Sequence, residues 1–304
     1  MRAGRRAFLA GLGALALGAA SGCGRRAPSA SGARVVSISP STTEAVFAIG
    51  AGAMVVGRSR YCDYPPEVER LPAVGGFADP NVEAIVALAP SLVIGAHGPA
   101  GPALDQALSA HHIATFFPET ESIAQIEHML RDLGEKLGHQ AGAAAAVAAI
   151  EQARSQVRAA VAGKPRARAV FLFDTSPIVG AGPGSFPDEL IAEAAGENLI
   201  REGGAYPTLS IERLLALDPD VILDGASTGH DGGDAARIAA LRTAPGFRDL
   251  RAVREGRIRP LTSNLVLRPG PRIGQGLIAL ARALHGDILP APGEEKSPGR
   301  GAAP

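Results

Sequence analysis

The chain of 304 residues contains no Trp, three Tyr and nine Phe, and only two Cys. Its 30 Lys and Arg residues are balanced by 30 Asp and Glu residues, so it has no basic surplus with which to hold nucleic acid. The sequence contains no P-loop, no G-x-G-x-x-G and no H-E-x-x-H pattern, so the common nucleotide-binding and zinc-protease motifs are absent from it. We therefore expect a binding protein rather than an enzyme, and no cofactor other than a bound ligand.

The first 22 residues have the features of an export signal. Three Arg residues precede the apolar stretch Phe8–Ala20, which is too short to span a bilayer. Arg5 and Arg6 resemble a twin-arginine signal. The tetrapeptide that ends at Cys23 resembles a lipoprotein cleavage box, in which this Cys is acylated. The sequence predicts export to the periplasmic or cell-surface face of a membrane, with a lipid anchor at Cys23; a plain secretory signal or a short anchor is the alternative.

The mature chain is predicted to be slightly acidic. Removal of residues 1–22 takes away three Arg and no acid, which leaves a net charge of 27 − 30 = −3. Residues 23–33 are small, polar and basic and are interpreted as a tether, whereas the Pro/Gly-rich residues 287–304 predict a disordered tail. No second apolar run is long enough to cross a membrane, so attachment is expected only through the lipid. With Cys23 acylated, Cys62 has no partner for an intrachain disulfide.

The long segment Gln140–Gly163 predicts a helix around which the chain is organised. It is rich in Ala, the best helix former, and four aliphatic residues form one apolar stripe that Arg154 interrupts. At 1.5 Å per residue, about 22 residues span about 33 Å, which is the width of a small domain. The sequences on the two sides of this helix resemble each other, so we interpret it as a connection between two lobes.

The resemblance is an internal repeat. Residues Asn81–Ile94 and Ser210–Leu223 align without a gap, and Glu83 aligns with Glu212 at an offset of 212 − 83 = 129 residues. Each copy predicts a capping residue, two turns of amphipathic helix, a Pro that ends the helix and a buried strand. Such a long offset indicates duplicated lobes rather than a solenoid.

The order of elements predicts an α/β fold. Strands at Arg34–Ile38 and Met54–Gly57 flank a helix at Glu44–Ile49, which favours a parallel, doubly wound sheet. We expect two doubly wound α/β lobes joined by a single long α-helix, with a ligand cleft between the lobes. The predicted boundaries are 34–138 for the N-terminal lobe, 139–163 for the helix and 164–286 for the C-terminal lobe.

Several loop residues are candidates for ligand contact. Tyr61, Phe77 and Tyr206 lie in loops rather than strands, where their rings would serve a flat conjugated ligand; the alternative is that they pack under their own loops. His97 and His230 follow the two repeat strands, and the carboxyl ends of parallel strands are where such sheets bind ligands. Either His could ligate a metal or a metal-bearing macrocycle, or be a polar loop residue.

Other polar residues have two interpretations each. Ser41, Thr42 or Thr43 can cap the helix that follows. Glu83 and Glu212 either favour the dipoles of their own helices or dock onto a two-fold partner with paired basic residues. The G-x-S-x-G pattern around Ser227 suggests a hydrolase only weakly, because further glycines follow it where a helix should start.

Residues Arg34–Gly52, Tyr61–Pro66, Asn81–Ile94 and the long helix resemble the periplasmic vitamin B12-binding proteins of ABC importers. The resemblance covers nearly all of residues 34–286. The S-P-S-T-T-E and D-Y-P-P sequences are typical of the cobalamin, haem and siderophore group, and D-Y-P-P favours cobalamin.

The resemblance implies two lobes on one rigid helix, with a shallow cleft that closes little. It implies that Tyr61 stacks on a corrin face, that Phe77 and Tyr206 replace Trp residues, and that Asn264 replaces an acid that contacts the ligand. Loops 39–43, with Ser41, and 262–265 would supply hydrogen bonds. The implied partners are a macrocyclic ligand, namely a corrinoid or alternatively haem or a ferric siderophore, and an ABC permease dimer with its ATPase subunits. Glu83 and Glu212 would dock to arginines of that permease.

Overall fold

The computed structural model describes residues 32–98, 101–227, 233–261 and 264–291. The predicted export signal, Cys23, His230 and the tail beyond residue 291 therefore lie outside the described residues, as does the side chain of Ser227. Within the described part, no helix combines the length and the hydrophobicity needed to cross a membrane.

The first lobe is a parallel sheet with helices on both faces. Its four strands lie in the order β2-β1-β3-β4, and β1 is buried along its whole length. The continuous apolar character of such strands follows from this coverage, because neither face meets water. The elements are β1 (Val35–Ser37), α1 (Pro40–Ala48), β2 (Val55–Arg58), α2 (Val82–Ala87), β3 (Leu92–Ile94), α3 (Gly101–Ser109), β4 (Ala114–Phe116) and α4 (Ile123–Leu137).

Helix α5 (Gln140–Val161) is 22 residues long, as its Ala-rich sequence predicts. Its buried side chains face α4 of the first lobe and α10 (Ile273–His285) of the second, so one helix contributes to the packing of both lobes. Gly142 allows the close approach of α5 to α1, because an added Cβ would overlap the backbone carbonyl of Ile49. The single Gly near the start of the helix is thus explained by packing.

The second lobe contains a mixed six-stranded sheet. Strands β10, β9 and β5 are parallel, β6 and β8 continue the sheet antiparallel, and β7 pairs with the start of β5. Its elements are β5 (Ala167–Thr175), β6 (Ile178–Gly180), α6 (Phe186–Glu193), β7 (Gly196–Asn198), β8 (Thr208–Leu209), α7 (Ile211–Leu217), β9 (Val221–Asp224), α8 (Gly233–Thr243), α9 (Arg251–Arg254), β10 (Ile258–Pro260) and α10. The predicted α/β class with two lobes joined by one helix is confirmed.

Two local features differ from the sequence interpretation. The antiparallel strand β6 (Ile178–Gly180) overlaps the Gly-rich residues 179–184, whose glycines by themselves favour a turn. Helix α1 starts at Pro40, with Ser39 at the cap position and Ser41 inside the first turn, so the predicted caps at residues 41–43 are wrong. Proline favours the first helical position because its backbone lacks the N–H that would be unpaired there.

The internal repeat is also a repeat of structure. The side chains of Asn81 and Ser210 each accept a hydrogen bond from the backbone N–H three residues later, at 2.9 and 3.1 Å. Each helix is followed by a residue in the left-handed region, Ala89 with φ 43° and Asp218 with φ 42°. The strands that follow, β3 and β9, then occupy equivalent interior positions in their sheets.

Candidate functional site

The candidate site is the cleft between the loops at the carboxyl ends of the two sheets. Residues from these loops contact each other across the lobes at two places, and the strand order puts these places at opposite edges. Asp63 follows the edge strand β2 and contacts Arg268, which follows the edge strand β10. Glu121 follows the other edge strand, β4, and contacts Tyr206, which precedes β8. The two contacts therefore bound a cleft whose middle faces β1, β3, β5 and β9.

The first contact is a partly buried ionic cluster, here called the Glu44 bridge and formed by Glu44, Asp63, Arg268 and Arg272. Arg272 donates from Nη2 and Nε to the two carboxylate oxygens of Glu44 at 2.6 and 2.7 Å. Arg268 donates to Glu44 at 3.2 Å and to Asp63 at 2.9 Å. The Glu44 side chain is only 2% exposed, so its charge depends on these partners.

The outer part of the Glu44 bridge responds to pH. Hydrogen bonds from Arg268 lower the pKa of Asp63 below its ordinary value. A lowered pKa in the folded state means that this pair contributes stability above the ordinary Asp pKa of about 4. The contribution is lost as the pH falls through the lower folded-state value.

The second contact is a single hydrogen bond. The Tyr206 hydroxyl donates to Glu121, and the Tyr206 ring lies edge-on to Phe173 at 5.4 Å between centroids. Burial, together with the hydrogen bond to Glu121, raises the pKa of Tyr206, so the phenol keeps its proton. Nearby, Glu189 of the second lobe accepts the backbone N–H of Ile123 at 2.8 Å. Helix α4 is thereby tied to the second lobe at its first residue.

On the first lobe, three of the predicted ligand residues lie along one rim. Tyr61 is 55% exposed and its ring lies beside Gly76, where an added Cβ would contact it. Phe77 follows directly and is half-buried, with its ring against Gly98. His97 precedes Gly98 and lies with Nδ1 at 3.3 Å from a carboxylate oxygen of Glu119. The structure thus brings Tyr61, Phe77 and His97 together, with Tyr206 (44% exposed) on the opposite lobe.

Ser41 and Asn264 are less accessible to a ligand than the aromatic residues. Ser41 is buried in the first turn of α1, its hydroxyl oxygen lies 3.3 Å from that of Ser39, and the loop at Gly270 packs over it. The prediction that Ser41 contacts a ligand is therefore not supported by its position. Asn264 is half-buried in the loop after β10, where its carbonyl accepts the N–H of Arg268 at 3.0 Å.

Glu83 and Glu212 lie on the same side of the molecule as the cleft. Each is the second residue of its helix and is exposed. Helices α2 and α7 run antiparallel to the strands that follow them, so both helices start on the side where those strands end. The backbone N–H of Glu212 and the side chain of Ser210 lower the pKa of Glu212. The paired acids are consequently exposed at equivalent positions of the two lobes.

Sequence analysis missed a buried ion pair beneath the cleft. Asp224 ends β9 with no exposure, and Arg237 of α8 donates to its carboxylate at 3.3 Å. Arg237 also donates to Thr175 at 2.6 Å and so joins α8 to the ends of β9 and β5. The signal that the sequence offered for this ion pair was an acidic residue at the end of an apolar strand. Among the described residues, no group of three or more His, Cys, Asp or Glu is arranged to hold a metal.

A separate cavity of about 490 Å³ lies beside α5 and outside the cleft. It is lined by residues of α1, α5 and the loop after β2, among them Tyr64, whose ring lies 3.9 Å from the Arg272 guanidinium. None of the predicted ligand residues lines it.

Comparison with known proteins gives a consistent set of relatives. Residues 35–265 match the model of the periplasmic binding protein family. The vitamin B12-binding protein of Salmonella paratyphi A is 31% identical over 198 residues, which cover 65% of this chain and 74% of that protein. The ABC transporter substrate-binding lipoprotein YvrC of Bacillus subtilis, itself uncharacterized, is 26% identical over 265 residues, covering 84% and 81%.

Among solved structures, the periplasmic haem-binding protein RhuT of Roseiflexus sp. RS-1 in apo form superposes with a TM-score of 0.73 at 29% identity. The match covers 84% of this chain and 99% of that one. These findings confirm the family resemblance predicted from the sequence.

The Glu44 bridge generates a prediction about stability. Glu44→Gln removes the carboxylate that neutralises Arg272 and that shares Arg268 with Asp63. The substitution should lower the free energy of unfolding by about 3–5 kcal/mol. Urea unfolding followed by circular dichroism measures the change, with Glu67→Gln as the matched control. Glu67 is an exposed carboxylate of the same cavity, and its substitution should change the free energy by at most about 0.5 kcal/mol. Equal effects of the two substitutions would show that the bridge does not hold the lobes together.

Proposed function

Because the chain belongs to the periplasmic binding protein family, we propose that it is the substrate-binding protein of an ABC importer and captures cobalamin or a related corrinoid. The observation that carries this proposal is the exposed ring of Tyr61 beside Gly76 and Phe77 on the first lobe, together with the exposed ring of Tyr206 on the second lobe. The relative from Salmonella paratyphi A, which is named a vitamin B12-binding protein, supports the choice of ligand.

Binding in this cleft needs no chemistry from the protein. A macrocycle between the lobes would lose water from its faces against the rings of Tyr61, Phe77 and Tyr206, and each such aromatic contact contributes on the order of 1 kcal/mol beyond burial of area. The two contacts between the lobes and the shared helix α5 limit hinge motion, which favours a largely pre-formed site. We propose that the protein has no catalytic activity; Ser227, the basis of the hydrolase alternative, needs a structured elbow that its sequence does not favour.

Delivery to a permease is the second part of the proposal. Glu83 and Glu212 are exposed on the side of the cleft, one on each lobe, and would meet basic residues of a two-fold permease that works with ATPase subunits. A lipid anchor at Cys23 would keep the protein at the membrane surface near that permease. The name of the Bacillus subtilis relative, a substrate-binding lipoprotein, supports this placement.

Haem is the second candidate ligand. The structural similarity to the haem-binding protein of Roseiflexus favours it. The exposed phenol of Tyr61 could serve as an axial ligand to ferric iron. A ferric siderophore would also fit a cleft of this kind, with fewer stacking contacts.

The proposed ligand contact is tested at Tyr61. Tyr61→Ala should weaken cyanocobalamin binding by roughly 1–3 kcal/mol in titration calorimetry, because a desolvated stacking face is lost. Tyr61→Phe is the matched control, because it keeps the ring face that stacks and removes only the hydroxyl. The control should change affinity little. Unchanged affinity in Tyr61→Ala would remove this residue from the site.

The docking role is tested with Glu83→Gln/Glu212→Gln. The double variant should bind cyanocobalamin normally and fail to deliver it in reconstituted transport, because charged pairs orient the docked complex and speed encounter. If these acids only favour their helix dipoles, the substitutions should cost at most about 1 kcal/mol of stability and leave uptake intact.

Glu135→Gln/Glu255→Gln is the matched control for charge. Glu135 near the end of α4 and Glu255 before β10 are both at the amino ends of the strands, on the face away from the cleft. This control should transport like the wild type. Normal uptake by Glu83→Gln/Glu212→Gln would exclude the docking role.

A further inference from the structure

Helices α4, α5 and α6 carry a line of charged side chains that crosses from the first lobe to the second. Glu127 of α4 accepts a hydrogen bond from Arg131 of the same helix at 3.0 Å. On α5, Arg154 donates to Glu151 at 2.5 Å and, from its other amino group, to Glu193 of α6 at 2.6 Å. These five residues, here called the hinge network, join each lobe to the helix between them.

One carboxyl oxygen of the hinge network has no hydrogen-bond donor. The side chain of Glu127 is only 11% exposed; its Oε2 accepts from Arg131, but its Oε1 is buried and no described residue donates to it. Across the contact with α5, the Glu151 carboxyl lies within hydrogen-bonding reach. Two ionised carboxylates only accept hydrogen bonds and repel each other, so this contact is satisfied only when one of them carries a proton.

The surroundings of the two acids decide which one carries the proton. Glu127 is buried and meets one cation, Arg131, whereas Glu151 is 44% exposed and lies 2.5 Å from Arg154 and 3.8 Å from Arg158. Burial and the neighbouring Glu151 raise the pKa of Glu127. The hydrogen bond from Arg154 lowers the pKa of Glu151. Glu127 is therefore the donor of the pair and Glu151 the acceptor.

The other acids on the helices that surround Glu127 have partners of their own. On α6, Glu193 is paired within the hinge network and Glu189 accepts the first backbone N–H of α4. Helix α1 also packs on α4, and its one charged side chain, Glu44, is held in the Glu44 bridge. The protonation of Glu127 is consequently governed by its burial and by the groups of the hinge network.

We propose that Glu127 keeps a proton in the folded protein and donates it to Glu151, so that the hinge network is complete only in the protonated state and loosens as the pH rises. The proton is taken from solvent and returned to it, while Arg154 balances the charge of Glu151 in both states. With the proton present, hydrogen bonds and ion pairs connect the two lobes through α5 without a gap. Without it, two carboxylates face each other between α4 and α5. This device does not depend on the identity of the ligand.

The effect of the proton on stability has a definite sign. A carboxyl group whose pKa is raised in the folded state stabilises the fold below the ordinary Glu pKa of about 4.3. That contribution is lost as the pH rises from there through the raised folded-state value. Asp63 of the Glu44 bridge behaves in the opposite way, because its pKa is lowered and its contribution is lost only as the pH falls.

The test compares the wild type with Glu127→Gln by urea unfolding at a series of pH values from about 4 to about 8, on both sides of the ordinary Glu pKa. The amide has the shape of the protonated carboxyl group and can donate to Glu151 at every pH. The unfolding constant of the wild type, divided by that of the variant, should rise with pH and then level off. The rise should be about tenfold for each unit by which the folded-state pKa of Glu127 exceeds the ordinary value.

Glu135→Gln is the matched control, because Glu135 is an exposed acid of the same helix and has no ion-pair partner in the part of the chain that the structure describes. Its ratio to the wild type should stay constant over the whole pH series. A ratio for Glu127→Gln that is equally flat would overturn the proposal.

Two measurements make the test independent of how well the variant folds. The carboxyl carbon of Glu127 in the carbon-13-labelled wild type should titrate above the ordinary Glu pKa, and a midpoint at or below that value would overturn the proposal. Hydrogen exchange, corrected for its intrinsic pH dependence, should show protection of α4 and α5 falling with rising pH in the wild type but not in Glu127→Gln. An equal loss of protection in β5 and β9 would contradict the assignment to the hinge.

Discussion

The Glu44 bridge is the interaction on which the geometry of the cleft depends. Glu44 belongs to the first lobe, Arg268 and Arg272 belong to the second, and the acid is almost completely buried between them. Burying three charges is costly unless their hydrogen bonds are satisfied, so this cluster tolerates few arrangements of the two lobes. At the opposite edge, the contact between Tyr206 and Glu121 is a single, more exposed hydrogen bond, and it is the weaker of the two.

The arrangement of the ligand surface follows from these constraints. Helix α5 packs against α4 and α10, so each lobe is fixed to the same rigid element. The bridge then sets the distance between the loops at the strand ends, and Tyr61 and Tyr206 are presented from opposite lobes without a large closure. In the proposed function, stacking on Tyr61, Phe77 and Tyr206 would bind a flat macrocycle in a protein with few aromatic residues and no Trp.

The sequence predicts the local elements well and the contacts between lobes poorly. Ala-rich composition determines α5, because helix propensity is a local property of the sequence. The repeat placed Glu83 and Glu212 at equivalent positions. Glu44 was expected only as the start of a helix, because its partners lie 224 and 228 residues away and no local pattern joins them. The burial of Ser41 was missed for the same reason, since the loop that covers it belongs to the other lobe.

We propose that the cleft between the bridged lobes binds a corrinoid. The most direct measurement is a competition titration of the wild-type protein, in which absorbance reports binding of cyanocobalamin against haemin and a ferric siderophore in one solution. Cyanocobalamin should saturate the protein at one equivalent, and an excess of either competitor should not displace it. Displacement by haemin or by the siderophore, or the absence of a saturable spectral change with cyanocobalamin, would contradict it.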